Sequence, residues 1–593
     1  MKKFAFLFAT FALALTSCGS TSSFNSENSA ISSNEITSSS SSSFSVDSDH
    51  VHQYSLISET QATLLERGVK TYSCSCGDSY ERYSYYLEEV AFKDKVFQYS
   101  GHENVITLEG LLPSHLTVEY ENNKLTEIGS KEATAKILDE EGQVVMSKKA
   151  VITVEAYTGF PHIELDTSGA SIDSDEEYTP VKVSTSNCKD VYKISNKTGG
   201  IRLRGHGSQT YDKKPYRIKL DKKLNLLGLH SDYKNWVLLA DYNDPSMLRN
   251  QSALNIGNSL FNYSNNYASR YEHVHVYLNG QYQGVYLLAE QQQINAGRVA
   301  INEAEENYQG TDIGYLLELH LKNTDGQQID ADFPDYVSLK GNRRVLSGAT
   351  VPDHYYEVKS DYYSNDQKTF IQKYINNVFS IMFNAVSNKG FYKLDQNYDL
   401  VEANFANAYE CINEVIDLES LFKIYYLQEM MCNVDVGYAS FYLFVDFSSK
   451  STHKRLTFGA PWDFDWSSGN ANKNDAQNAK KEYNSRNFEF MNWWLYMLRK
   501  SDFFNTYFEK YFEIFDRVGI MQRVFNDIDY EVATFSQDFA NNYSVWKTLG
   551  TYIPAYTINA NLSFKSQKDG ADYLKDWLTQ RYTYLSSLFL KSL

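Results

Sequence analysis

The stretch Pro-Trp-Asp-Phe-Asp at 461–465 places two carboxylates at the exit of a predicted β-hairpin. A strand predicted over 441–447 and a return strand over 455–459 form this hairpin. Side chains two positions apart in an extended chain point the same way, so Asp463 and Asp465 would face one side. The structural alternative is that these two aspartates cap the helix or loop that follows them.

A third carboxylate belongs to the same region. A mostly buried helix is predicted over 420–431, and Asp435 follows it just before the hairpin. Because a hairpin brings its two open ends together, Asp435 should lie near Asp463 and Asp465. Three convergent carboxylates repel one another unless a cation or another partner lies between them. Mg²⁺ or Mn²⁺ suits a site of oxygen ligands, and we therefore predict a divalent metal here.

Upstream, a glycine-containing loop joins two strands that carry basic residues. Arg204 ends the first strand, Gly-His-Gly-Ser follows at 205–208, and the second strand contains Lys214, Arg217 and Lys219. Such a loop can lay backbone N–H groups against phosphates, because glycine allows the backbone to come close. The basic side chains would add positive charge to that site. The alternative is an ordinary hairpin turn with no ligand.

A helix is predicted to open at Asp-Pro-Ser, 244–246, after a buried strand at 236–240. Aspartate suits the cap position and proline suits the first turn. Arg249 would then lie in the second turn of the helix.

Another hairpin is predicted from the alternating strand 274–278, the Asn-Gly pair at 279–280 and the return strand 281–288. Asn-Gly between two such strands is typical of a type I′ turn. We expect His275 to lie on one face of its strand and not to be a ligand. The hairpin ends at Glu290, where a hinge between two lobes is expected.

The order of these parts is that of a protein kinase: phosphate loop, cationic strand, helix, hinge, helical lobe, catalytic Asp, hairpin and metal Asp. In kinases the first Asp accepts the proton of the substrate hydroxyl, and an Asn five residues later binds a second metal. The residue five positions after Asp435 is Ser440.

At this level of detail the sequence resembles the CotH kinase family over about residues 160 to 590. The stretches that carry the resemblance are 204–208, 213–220, 236–239, 244–250, 276–280, 284–290, 298–301, 314–318 and 461–469.

The resemblance implies an atypical kinase that uses ATP and a divalent metal to phosphorylate proteins, spore-coat proteins among them. It implies that Asp435 is the catalytic Asp and that Asp463, Asp465 and Ser440 are metal positions. Ser440 stands where the family commonly has Asn, and the loop has His206 and Gly207 where a polar pair is usual. The nucleotide-binding positions implied in the same way are Arg204, Gly205, Ser208, Lys214 or Lys219 for the phosphates, and Glu290 near the adenine.

The N-terminus resembles a bacterial lipoprotein signal. Lys2 and Lys3 precede an apolar run, and Leu-Thr-Ser-Cys ends at Cys18. This pattern predicts cleavage before Cys18 and acylation of its sulfur and new amine. The alternative is an ordinary secretory signal. Residues 19–49 are rich in Ser and are predicted to form a disordered tether.

Two small modules are predicted between the tether and the main domain. Residues 50–87 contain His50, His52, Cys74 and Cys76, which would suit a tetrahedral zinc site. The alternative is a small β-hairpin module, with or without a Cys pair. Residues 88–157 alternate in the manner of strands and resemble the Ig-like spacers of bacterial surface proteins.

Bulk properties limit the possible functions. The chain has 593 residues and a net charge of −18, so a nucleic-acid partner is not expected. Its six cysteines imply no disulfide framework. We predict an α+β protein with a two-lobed, kinase-like domain preceded by a small β-sandwich. The predicted parts are a signal peptide at 1–18, a tether at 19–49, a Cys/His module at 50–87, an Ig-like spacer at 88–157 and the kinase-like domain at 158–593.

Three functions follow as hypotheses. The first is a lipid-anchored kinase outside the cytoplasm that phosphorylates Ser or Thr of extracellular or cell-surface proteins. The second is a catalytically weak pseudokinase that serves binding, assembly or adhesion. The third is a hydrolase in which Asp463 and Asp465 form an acid pair.

Overall fold

The computed structural model describes residues 36–38, 51–205, 207–229, 232–263, 266–320, 335–452, 454–488, 491–553 and 557–590. Cys18, His50 and His206, on which predictions were made, lie outside these residues. The architecture is α+β: strands dominate the first half of the chain and helices the second. Within the described ranges, no helix combines the length and apolarity needed to cross a bilayer.

The N-terminal part consists of two β modules. The first has the strands β1 (Ile36–Ser38), β2 (Tyr54–Thr60), β3 (Gly68–Cys74) and β4 (Ser79–Ser84), paired in the order β1-β4-β3-β2. The second has β5 (Val90–Ala91), β6 (Lys95–Gln98), β7 (Asn104–Val105), β8 (Glu109–Gly110), β9 (Thr117–Glu121), β10 (Lys124–Leu125), β11 (Gly129–Leu138) and β12 (Val144–Glu155). Its main sheet has the order β6-β12-β11-β9, in which β6 and β12 are parallel.

The second β module is docked against the helical part of the chain. Gln98 donates its backbone N–H to the hydroxyl of Tyr530 at 2.8 Å, and Arg523 donates to the carbonyl of Leu108 at 3.0 Å. A buried ion pair joins Lys423 to Glu89 at 3.1 Å. These contacts hold the module against the main domain.

Seven strands then close into a β-barrel. Its elements are β13 (His162–Asp166), β14 (Thr179–Ser186), β15 (Lys197–Leu203), β16 (Tyr216–Leu224), β17 (Tyr233–Leu239), helix α1 (Arg249–Phe261), β18 (Tyr271–Leu278) and β19 (Gln281–Glu290). The strand order is β13-β14-β15-β16-β17-β19-β18, and the parallel pairing of β13 with β18 closes the barrel. Side chains alternate along β16, so Ile218 and Leu220 fill the interior while Arg217 and Lys219 face outward.

The remaining elements form a five-stranded sheet surrounded by helices. They are β20 (Gly314–His320), β21 (Tyr336–Leu339), β22 (Val345–Leu346), β23 (Ala349–Thr350), β24 (His354–Val358), α2 (Asn365–Val386), β25 (Tyr392–Leu394), β26 (Leu400–Glu402), α3 (Ala408–Asn413), α4 (Leu418–Met431), β27 (Ala439–Asp446), β28 (Thr457–Phe458), α5 (Trp493–Lys500), α6 (Phe504–Arg517), α7 (Ile520–Val545) and α8 (Gln567–Phe589). The sheet order is β21-β24-β20-β27-β28. Helix α4 is buried along nearly its whole length, as predicted.

The hairpin of β18 and β19 is confirmed. Asn279 and Gly280 have φ values of 50° and 78°, which a type I′ turn requires at both central positions. His275 lies 2.8 Å from Asp538 and 2.8 Å from the hydroxyl of Tyr282, so its contacts join the hairpin to α7.

One prediction of local structure is wrong, and another is only partly confirmed. Helix α1 begins at Arg249 rather than at Asp244, because Met247 adopts a left-handed φ of 56° that a helix cannot contain. Asp244 instead accepts a hydrogen bond from the backbone N–H of Arg249 at 2.9 Å. The predicted return strand at 455–459 is reduced to the two residues of β28.

Candidate active site

The candidate site lies where the outer face of the barrel meets the five-stranded sheet. Strands β17 and β19 present apolar side chains outward, and β20 and β27 present theirs toward the barrel. Together they form one apolar cluster, which includes Val237, Leu239, Leu287, Ala289, Leu316, Tyr442, Phe444 and Trp462. The polar residues of the site surround this cluster.

Asp435 is positioned by the turn that ends α4. Cys432 has a left-handed φ of 51° and terminates the helix. The side-chain oxygen of Asn433 then accepts the backbone N–H of Asp435 at 3.1 Å, and its amide donates to the carbonyl of Asp463 at 3.4 Å. One side chain thus ties the segment of Asp435 to that of Asp463, at the open end of the hairpin.

Asp463 is held by backbone conformation and by a serine. Its φ is 67°, in the left-handed region, so the extended-chain reasoning that set it parallel to Asp465 is wrong. The hydroxyl of Ser440 donates to the Asp463 carboxylate at 3.2 Å. The structure therefore brings Ser440 next to Asp463.

The aspartates of this region interact strongly through their charges. Burial and the charge of Asp463 raise the pKa of Asp435 from 3.8 to about 7. Burial, followed by the charges of Asp463, Asp241, Asp435 and Asp244, raises the pKa of Asp465 well above its usual range. These shifts indicate buried negative charge that neighbouring cations do not fully neutralise.

The carboxylate oxygens of the three predicted residues nevertheless do not form one compact coordination site. Among the described residues, Asp435, Asp463 and Asp465 do not form a group whose ligand atoms all lie within 4.8 Å of one another. Mg²⁺ typically takes one or two carboxylates and completes its shell with water and substrate phosphates, so such a compact site is not required. The oxygen donors of Asp435 and Asp465, whose pKa values are raised, fit a hard divalent cation that shares its shell with a nucleotide.

Asp241 belongs to the same acidic region, although sequence reasoning did not identify it. It follows β17, and its Oδ1 accepts the amide of Asn250 at 2.7 Å. Asn250 also accepts the backbone N–H of Phe464 at 2.7 Å, between the two predicted metal ligands. Burial and the charge of Asp244 raise the pKa of Asp241 to about 6. Its Oδ2 is buried and has no hydrogen-bond partner within the described part of the chain.

One sequence pattern could have indicated Asp241. It is a carboxylate that follows a buried strand and precedes a buried helix. Asp244, in the same loop, forms a buried ion pair with Arg249. Arg249 also donates to the carbonyl of Ser467 at 3.1 Å, which fixes the segment after Asp465.

The three lysines of the basic segment occupy different environments. Lys219 is exposed on the outside of β16, and Lys214 donates to the carbonyl of Gln209 at 2.9 Å. Lys213 is fully buried, and it donates to the carbonyl of Ala240 at 2.7 Å. Burial lowers its pKa to about 7, while the charge of Asp241 acts in the opposite direction. Lys213 is therefore the lysine that interacts with the acidic region.

Arginines supply positive charge at the edge of the cleft. Arg202 on β15 pairs in register with Arg217 on β16, and Arg204 follows β15. Burial, together with Arg202 and Arg204, lowers the pKa of Arg217, which shows how densely these cations are placed. The guanidinium of Arg204 lies 5.5 Å from the ring of Trp462, in the Pro-Trp-Asp-Phe-Asp stretch.

The predicted phosphate loop follows directly from these arginines. Gly205 has a φ of 81°, and a Cβ at this position would lie 2.2 Å from the hydroxyl oxygen of Ser208. A side chain at Gly205 would displace the Ser208 hydroxyl, and the left-handed φ at this position favours glycine. Ser208 begins a short 3₁₀ helix, Ser208–Thr210.

Glu290 lies at the end of β19 and is completely buried. Its carboxylate accepts the hydroxyl of Tyr267 at 3.1 Å and the backbone N–H of Arg270 at 3.0 Å. Burial raises its pKa. These contacts fix the position where the barrel strand ends.

A second group of potential ligands lies on β20 and β24. The ligand atoms of Glu318, His320 and Glu357 are within 4.8 Å of one another. Lys359 is 3.3 Å from Glu318 and 2.9 Å from Glu357, so an ammonium group already balances their charge. This group is therefore explained as an ion-pair network.

Two surface depressions lie away from this cleft. One, of about 250 Å³, is on the barrel beside His162 and Lys182. The other, of about 380 Å³, is beside Glu89 and Lys423 at the junction with the N-terminal modules.

Comparison with known proteins identifies the family of the chain. A family model described as CotH kinase protein matches residues 201–585, from strand β15 into helix α8. No curated protein sequence matches the chain. The matched region is well over half of the chain and contains every residue of the candidate site. The chain belongs to the CotH kinase family.

Proposed function

We propose that this chain is a surface-anchored atypical protein kinase that transfers phosphate from ATP to Ser or Thr of extracellular or cell-surface proteins. The observation that carries the proposal is the acidic region around Asp435, Asp463 and Asp465 beside the arginine-lined cleft. Asp435 and Asp465 have raised pKa values, and such carboxylates next to a basic loop suit a site for a cation and a triphosphate. Family membership supports the same class of reaction.

The cleft offers the two environments that ATP needs. The apolar cluster between β17, β19, β20 and β27 would receive the adenine, with Glu290 at the end of β19 beside it. Arg204, Gly205 and Ser208 would contact the phosphates. Among the basic residues, Arg217 is better placed than the exposed Lys219, because it is half-buried next to Arg204.

Roles follow for the acidic residues. Asp435, with a pKa of about 7, is suited to accept the proton of the substrate hydroxyl near neutral pH. Asp463 and Asp465 would hold Mg²⁺ or Mn²⁺, which when bound neutralises charge on the transferring phosphoryl group. Ser440 would orient Asp463 through its 3.2 Å hydrogen bond, and it occupies the position that the family commonly fills with a second metal ligand.

The part of the chain before the kinase-like domain suits attachment of the protein to a membrane surface. We propose that acylated Cys18 anchors the protein, since several acyl chains hold a protein on a bilayer firmly. The Ser-rich segment before strand β1, which begins at Ile36, would extend the folded part from the membrane, and residues 88–157 would act as an Ig-like spacer. In this view the barrel and the sheet with its helices are the two lobes of a kinase-like domain.

A catalytically weak pseudokinase is the second candidate, and one observation favours it. Ser440 replaces the expected Asn, and its hydroxyl is already used by Asp463. Such a protein would bind nucleotide or a partner protein without transferring phosphate.

The test is phosphate transfer by the purified full-length chain from labelled ATP to a Ser-rich protein with Mn²⁺. A kinase should lose roughly 10²- to 10⁴-fold in rate in Asp435→Asn, the cost of removing a general base. Asp502→Asn, at an exposed position outside the site, should leave the rate unchanged. Nucleotide binding without any transfer by the unaltered chain would instead support the pseudokinase.

A further inference from the structure

The first β module contains a cluster of residues that the kinase site does not use. Cys74 is the last residue of β3, and Cys76 follows in the turn to β4. His52 precedes β2, whose first residue, Tyr54, pairs with Cys74 across the sheet. The pairing therefore brings His52 to the turn that carries both cysteines.

The turn itself is tightly built. The backbone N–H of Cys74 donates to the carbonyl of Asp78 at 2.8 Å, and that of Gly77 donates to the carbonyl of Cys74 at 2.9 Å. Gly77 has a φ of 91°, a conformation that favours glycine. This turn holds the two cysteines, only two positions apart, on the same side of the strand end.

The distances suit a tetrahedral ion. One ligand atom from each of His52, Cys74 and Cys76 lies within 4.8 Å of the other two, and the Cys76 sulfur is 3.3 Å from the His52 Nδ1. Bonds of about 2.3 Å to sulfur and about 2.0 Å to nitrogen place ligands around zinc roughly 3.5 to 3.8 Å apart. Water can supply the fourth ligand, and the Asp78 carboxylate lies 3.6 Å from the same nitrogen.

Within its described residues, the module has no apolar core of its own, and ring stacking such as that of Tyr72 on Tyr80 and surface ion pairs supply its other contacts. Every residue of β2 is exposed. In the described residues 51–84, the buried apolar side chains are Leu64 and Cys74, and Leu64 belongs to the core of the main domain. A small sheet without its own core requires a cross-link or a metal ion for independent order. Cys74, the buried side chain at the end of β3, is itself a potential zinc ligand.

We propose that His52, Cys74 and Cys76 bind one structural Zn²⁺ that orders the first β module. Two thiolates and an imidazole select zinc over the oxygen-preferring Mg²⁺ of the proposed kinase site. The cysteines would bind as thiolates, so each loses its proton to solvent when the ion enters. The main rival is a disulfide between Cys74 and Cys76, which would leave His52 without a role.

The experiment measures the metal content of the full-length chain, purified under reducing conditions and dialysed against metal-free buffer. We expect one equivalent of zinc in the unaltered chain and in Cys188→Ser, a control at a cysteine outside the cluster. Cys76→Ser, at an exposed position, should lose most of this zinc without unfolding the main domain. His52→Gln should do the same.

Substitution with Co²⁺ gives a readout that depends on the ligands themselves. Thiolate-to-cobalt charge-transfer bands should appear in the unaltered chain, persist in Cys188→Ser and weaken in Cys76→Ser. Equal zinc in Cys76→Ser and the unaltered chain would overturn the proposal. So would the absence of zinc from the reduced chain, or a Cys74–Cys76 disulfide found by mass spectrometry after reducing purification.

Discussion

Replacing Asp435 by Asn should stabilise the metal-free protein at alkaline pH while it strongly slows phosphate transfer. Burial and the charge of Asp463 raise the pKa of Asp435 from 3.8 to about 7. A raised pKa in the folded state means that the fold favours the protonated carboxyl. The free energy of unfolding therefore falls as the pH rises from the unfolded to the folded pKa. Asparagine imitates the protonated form and removes this loss.

The size of the effect follows from the same two values. A rise from 3.8 to about 7 corresponds to an upper limit of about 4 kcal/mol, at 1.36 kcal/mol for each pKa unit. Above the folded pKa the full amount opposes folding of the unaltered chain, and below the unfolded pKa none of it does. Asp435→Asn should therefore be more stable by up to about 4 kcal/mol at pH 8, and the difference should shrink toward zero near pH 4.

The assay is urea unfolding of the full-length chain with a chelator present, compared between the two pH values. Asp502→Asn is the control, because it removes one exposed carboxylate and should not change the pH dependence. Saturating Mn²⁺ should stabilise the unaltered chain more than Asp435→Asn. If Asp435→Asn is no more stable than the unaltered chain at pH 8, the proposed charge repulsion is absent.

Two further substitutions test how the site is supported. Glu429→Gln should destabilise the fold by about 3–5 kcal/mol, because it removes the charge that pairs with buried Arg581 at 2.7 Å. Thermal unfolding would measure the loss of stability. A loss below about 1 kcal/mol would contradict the prediction. Without nucleotide, Asn250→Asp should have a lower free energy of unfolding at pH 8 than Asn250→Ala. Both variants lose the donor to Asp241, but only Asn250→Asp adds a further carboxylate to the acidic region. Equal stability of the two Asn250 variants at pH 8 would indicate that the region is already neutralised.

Local sequence patterns predicted the parts of the fold that depend on neighbouring residues. Apolar content along 420–431 indicated the buried helix α4, and Asn-Gly at 279–280 indicated the β18–β19 hairpin. The open end of a second hairpin indicated that Asp435 and Asp463 are close, and the structure places Ser440 and Asn433 between their segments. In each case the relevant contacts are set by a turn or by helix periodicity.

Features set by distant contacts could not be predicted in this way. Closure of the barrel depends on the parallel pairing of β13 with β18, which lie far apart in the chain. The burial of Lys213 depends on α7, where Asn542 accepts from its ammonium group at 3.0 Å. The membership of Asp241 in the acidic region depends on Asn250 linking it to Phe464. The left-handed φ of Asp463 also has no signal in the residue type alone.

The most direct measurement of the central claim is electron paramagnetic resonance of Mn²⁺ bound to the full-length chain with a non-hydrolysable ATP analogue. If the carboxylates of Asp463 and Asp465 hold the cation together with the triphosphate, the unaltered chain should show a protein-bound Mn²⁺ signal that requires the analogue. Asp463→Asn should weaken that signal at least tenfold, whereas Asp502→Asn should leave it intact. An unchanged signal in Asp463→Asn would contradict the assignment of this cleft as the metal and nucleotide site.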